Sequence, residues 1–154
     1  MRAILGRKTD GHLVLELSVV ASLICVAGAF CANLATVSIA ASAIDLSCRD
    51  AARAAAQASD SASSLKLAQT AVKAHQTDGY FISQPTVSAN SFVYQDFAGN
   101  PPANTSPYVS VTTTSNVRLP APVMFWGVAS GTDGTTVFTR TYTFPIVKTQ
   151  LYLQ

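Results

Sequence analysis

The residue best placed to do unusual chemistry in this chain is Glu16. It is the only glutamate among 154 residues, and it stands inside an apolar segment, five positions after Gly11. An ionisable side chain in such a segment is costly to desolvate and marks a functional position by default. Other reactive groups are sparse. His12 and His75 are far apart and lack a cluster of acids, so neither a metal site nor a cofactor is expected. His75 reads instead as a helix C-terminal residue, where a cation is favoured. Ser63 and Lys66 have the serine–lysine spacing of an acyl-transfer nucleophile, but no Ser-Asp-Asn or Lys-Thr-Gly partner accompanies them. Cys25 and Cys31 fall on different faces of a helix and read as small apolar fillers. Cys48 reads as buried, with pairing to another chain as the alternative. Asn104-Thr105-Ser106 has the form of a glycosylation sequon. With so few acid–base groups, the expectation is that the chain is not an enzyme.

Composition points the same way. Charged residues make up 12% and apolar residues 49%, against a usual charged share of about 25%. Positive mean hydropathy excludes a disordered charged tail as the main character. The net charge is +2 and the ten Lys and Arg are scattered. Nucleic-acid binding would need a basic patch or stripe, so it is not expected.

The elements that must position Glu16 are helical. Leu17 to Ile44 is a run of 28 residues without a charge. As a helix it would be about 42 Å long, more than the roughly 30 Å of a bilayer core. Ser18, Ser22, Asn33, Thr36, Ser38 and Ser42 interrupt it, and Ala27, Gly28, Ala29 and Ala32 suit close helix–helix approach. Arg2, Arg7 and Lys8 precede it, which keeps the N-terminus cytoplasmic. The helical pattern continues through Ala51 to Ala56, with Asp45 and Arg49 as a favourable i,i+4 pair. One helix is therefore expected from about His12 to Ala58. Asp60, Ser61 and Ser63 form a polar break that can cap a second helix. That helix covers 64–76, with Leu65, Ala68, Val72 and His75 on one face, and Asp78-Gly79 ends it.

Beyond Gly79 the chain reads as β. Strands are expected at 80–82, 91–97, 108–114, 123–128, 135–144 and 146–153. Gly99 to Pro102 is a loop, and Gly131-Thr132-Asp133-Gly134 reads as a hairpin turn. Trp126, Phe125 and Met124 read as sheet core, with an exposed adhesive patch as the alternative. The fold class is therefore α+β: a long helix, a short second helix and a small antiparallel sheet.

A short basic leader, Gly11, then Glu16 at the fifth position after it, resembles the processing signature of type IV pilin-like proteins. Ser47-Cys48-Arg49-Asp50-Ala51-Ala52-Arg53-Ala54-Ala55-Ala56 narrows the likeness. It resembles the Ala-Ala-Arg-rich segment of TadE-like minor pilins, or pseudopilins, from tight-adherence (Flp) pilus systems. Val117-Arg118-Leu119-Pro120-Ala121-Pro122 resembles a strand–proline passage of the same family. His12 and Leu17 depart from its habits, which are a small or apolar residue after the cut and an aromatic after the glutamate.

The resemblance implies cleavage between Gly11 and His12 by a prepilin peptidase. The new amine would pair with Glu16 of a neighbouring subunit and set the axial register. It further implies other pilin subunits, an inner-membrane platform and a secretion ATPase as partners. The location would be the cytoplasmic membrane, single-pass with the N-terminus inside, then an extracellular filament or periplasmic pseudopilus, with cell adhesion as the wider role. The division is then a leader at 1–11, a long helix at 12–58 that spans the membrane in its first half, a second helix and turn at 59–79, and an extracytoplasmic β-rich head at 80–154. After cleavage, seven Lys and Arg would face seven Asp and Glu, a near-neutral subunit suited to tight self-packing. The alternatives are a signal-anchored membrane protein with a binding head, a major pilin, or an anchored extracytoplasmic enzyme. Protein recovered from its native cells is expected to begin at His12 by intact mass and N-terminal sequencing. A chain still beginning at or next to Met1 would remove the leader reading.

Overall fold

The computed structural model describes residues 7–121 and 134–146, and the side chains from Gly11 onward within them. The expected strands at 123–128 and beyond Ile146, the residues Met124, Phe125 and Trp126, and most of the Gly131–Gly134 turn lie outside the described residues.

Helix α1 runs from Arg7 to Ala56 and α2 from Ser61 to Ala74. Four strands follow: β1 (Thr86–Val87), β2 (Val93–Gln95), β3 (Tyr108–Arg118) and β4 (Thr135–Pro145). The chain is α+β, as expected. α1 starts earlier than the expected His12, because one glycine does not break a helix flanked by good formers. Gly11 costs it only about 1 kcal/mol relative to alanine.

α2 begins at its polar break. The Asp60 side chain accepts the Ser63 backbone N–H at 2.9 Å. That bond holds the Asp60 carboxyl below its ordinary value. The helix closes on His75, whose N–H bonds Val72 O. Asp78 Oδ1 then accepts the Ile82 N–H at 2.9 Å, and Gly79 takes the positive φ, +69, that this turn requires.

β3 is the spine of the sheet. β4 pairs with it antiparallel along its whole length, from Tyr108↔Pro145 to Arg118↔Thr135. β1 and β2 share the opposite edge as one interrupted strand, with a 3₁₀ turn at Ala89–Ser91 between them. The expected strand at 80–82 is only a bridge, Ile82↔Val117. β1 went unforeseen because two residues are too short to alternate.

The core forms where α1 lies across β3. Alternate β3 residues, Val109, Val111, Thr113, Ser115 and Val117, point to the helix and are buried. α1 meets them with Ala40, Ile44, Ser47, Cys48, Ala51, Ala52 and Ala55, all 0% exposed. Their steps of three and four place them on one stripe. All but Ile44 are small, so the helix backbone sits close to the sheet. Cys48 is buried as expected, with Sγ 3.4 Å from Val111 O and 3.2 Å from Arg140 O. α2 closes the side with Ala68 and Val72, and Ser64 Oγ donates to Ala55 O at 2.7 Å.

Thr113 is buried without a hydrogen-bond partner for Oγ1. Thr113→Val removes that orphaned hydroxyl at nearly constant volume and is expected to raise unfolding free energy by about 1 kcal/mol. Ala51→Leu overfills the helix–sheet contact and is expected to lower it by about 1–3 kcal/mol. Denaturant titration of both variants in detergent checks the pair. A stabilising Ala51→Leu would show that the contact is not tight.

Candidate functional site

The chemistry of α1 is concentrated at its N-terminal end. Gly11 and His12 are adjacent on one turn of a continuous helix, and Glu16 lies one turn further on. A Cβ built on Gly11 meets nothing within 4 Å, and its φ is not among the positive values of the chain. Neither packing nor backbone conformation therefore asks for glycine there, although glycine weakens a helix.

His12 Nδ1 lies 3.7 Å from Glu16 Oε2, with side chains 80% and 66% exposed. Within a single chain Glu16 is thus an outward-facing group on the helix, not a buried one. Its charged neighbour among the described residues is His12, one turn earlier, and that contact is ionic only when the imidazole is protonated.

Every residue from Gly11 to Gly28 is exposed. Leu13, Val14, Leu15 and Leu17 are 62–71% exposed. Successive positions turn by about 100°, so this apolar surface goes all the way round the helix. An all-round apolar helix needs an apolar environment on every side. α1 is long and apolar enough to cross a membrane. Three of the hydroxyls that interrupt it bond their own helix: Ser18 donates to Leu15 O, Ser22 to Ser18 O and Thr36 to Ala32 O. Such back-bonding removes the need for water.

Asn33 behaves differently. Its Oδ1 accepts the Ala121 N–H at 3.0 Å, and its Nδ2 donates to Ala121 O. Both ends of the amide are satisfied by one residue just past β3. The tie lies well inside the apolar run, and the sheet covers Ala40 and Ile44 beyond it. The run is therefore divided: its first part is bare on every side, and its last part turns Ala40 and Ile44 into the head core while Leu34 and Ile39 stay exposed. The one sequence signal was that Asn33 is the run's single carboxamide.

The head carries a second polar set. Tyr142 donates to Asp45 Oδ1 at 2.8 Å, and Arg49 bonds Asp45 Oδ2 at 3.2 Å while lying over the Tyr142 ring. His75 Nε2 is 3.0 Å from Asp50 Oδ2, pinning the end of α2 to α1. These contacts dock helices and sheet together. His12 and Asp50 are about 57 Å apart along α1, so the two histidines do not meet. Ser63 and Lys66 are exposed on the first turns of α2, and the Ser63 N–H serves the Asp60 cap. Asn104-Thr105-Ser106 is exposed. Cys25 and Cys31 are exposed along α1, so as fillers they have no partner to fill against among the described residues. Among the described residues no three His, Cys, Asp or Glu side chains converge. An open groove of about 260 Å³ between α2 and β1 holds one ionisable side chain, Lys73.

No family model, no curated protein and no solved structure matches the chain. Gly11→Ala is expected to leave the thermal midpoint of the head unchanged, because its added methyl meets open space. Circular dichroism on the detergent-solubilised chain checks this, and a lowered midpoint would give Gly11 a structural duty.

Proposed function

We propose that the chain is a non-enzymatic, pilin-like structural subunit, of the kind found as TadE-like minor pilins or pseudopilins in tight-adherence pilus systems. It is held in the cytoplasmic membrane by the first half of α1, with its N-terminus inside. A prepilin peptidase cuts after Gly11. The helix then leaves the lipid for a bundle of other pilin subunits, on an inner-membrane platform driven by a secretion ATPase, and the head faces outward.

The observation that carries this reading is the state of the N-terminal half of α1. It is bare and apolar on all sides, yet it holds one carboxylate, Glu16, at the fifth position after a glycine with no packing role. A carboxylate in apolar surroundings demands a cation, and a neighbour's freed amine at His12 supplies one. The near-equal charge count of the cut chain is compatible with packing copies together. The continuity of α1 through Gly11 favours a second reading, an uncut single-pass anchor with a binding head, in which Glu16 has no assembly role.

Glu16→Gln separates the two. Introduced in the native cells, it is expected to leave the membrane-bound amount unchanged. It is expected to cut the amount in the sheared filament or pseudopilus fraction by at least about tenfold, because stranding one partner of a buried ion pair costs about 3–5 kcal/mol. Equal incorporation of both forms would end the pilin reading and leave the anchor.

A further inference from the structure

We infer that the Asn33–Ala121 clasp is a depth stop: it sets the point at which α1 leaves the lipid hydrocarbon. The inference rests on the membrane-anchored reading of α1 and adds where the boundary lies and what fixes it. The sequence pattern alone carries the apolar run to Ile44, which as lipid-buried helix would put more than a bilayer's thickness in the membrane.

Three observations place the boundary earlier. The all-exposed stretch Gly11–Gly28 has 18 residues, or about 27 Å of helix. Counting on to Ala32, the residue before the clasp, gives 22 residues, or about 33 Å. These two lengths bracket the roughly 30 Å of a hydrocarbon core. Second, the clasp is reciprocal: the amide satisfies both backbone groups of Ala121 and has both of its own ends satisfied. Lipid offers neither group a partner, so α1 can move deeper past Ala121 only by breaking both bonds. Third, the helix beyond Asn33 enters head core at Ala40 and Ile44, and a sheet cannot follow it into hydrocarbon with open edges. Lipid acyl chains are thus the partner of the helix up to the clasp; beyond it the head takes the stripe that starts at Ala40, while Leu34 and Ile39 stay exposed.

Thiol accessibility tests this on the full chain in the membrane of spheroplasts. The chain carries its own probes: Cys25 lies in the bare stretch, and Cys48 is buried in the head. Cys25 is expected to resist a membrane-impermeant maleimide. In a Cys25→Ser, Cys31→Ser background, Ser38→Cys is expected to label readily, since Ser38 is exposed one to two turns past the clasp. Adding Asn33→Leu or Asn33→Ala is expected to let the helix slide inward and lower Ser38→Cys labelling severalfold, with Cys48 still unreactive as a sign of an intact head. Protection of Ser38→Cys with Asn33 in place would overturn the boundary. Unchanged labelling in both Asn33 variants would overturn the stop, and so would Cys48 becoming reactive in both, because the clasp would then be a folding element of the head. A labelled Cys25 would sink the membrane reading itself, independently of the clasp.

Discussion

The whole arrangement depends on how closely α1 can approach β3. Ala40, Ser47, Cys48, Ala51, Ala52 and Ala55 give the helix a stripe almost free of bulk. The valines of β3 reach across it and fill the contact, so the larger side chains come from the sheet and the smaller ones from the helix. Interiors packed at crystal-like density leave little slack, and Ile44 is the one bulky residue on the buried stripe of α1. The buried Cys48 thiol among strand carbonyls shows how near the two backbones come. The second helix, the Asp50–His75 contact and the Tyr142–Asp45–Arg49 set all presuppose that spacing.

Once the C-terminal half of α1 is committed to the sheet, nothing among the described residues covers its N-terminal half. A single long helix thus has two different environments. One half is amphipathic, with its small-residue stripe under the head. The other is apolar all round and bare. Asn33 stands at the junction, which is why an amide survives there in an otherwise hydrocarbon-like run. Glu16 belongs to the bare half, away from the described residues of the head.

Much of this was legible residue by residue. The helix-forming run of alanines, the cap at Asp60, the turn at Asp78-Gly79 and the strand-forming residues of 135–144 are local signals, and each produced its element. Cys48, read as buried rather than paired to another chain, is buried. The failures were at segments whose form comes from partners. Residues 80–82 look like a strand but make only a bridge, and Thr86–Val87 becomes a strand only because β3 offers an open edge. The apolar run 17–44 also gave no sign of the residue at which it divides, because hydropathy does not distinguish an apolar residue meant for lipid from one meant for a sheet.

Local chemistry was enough for the fold class, the helix caps and the isolation of one glutamate in an apolar segment, since each depends on neighbours within a few positions. Where the apolar run divides was a tertiary decision. The partner of Asn33 lies 88 residues further along the chain, and that of Asp45 lies 97 further. Periodicity cannot encode a bond across such distances. It exists only once β3 and β4 have paired and the sheet has settled onto the small face of α1.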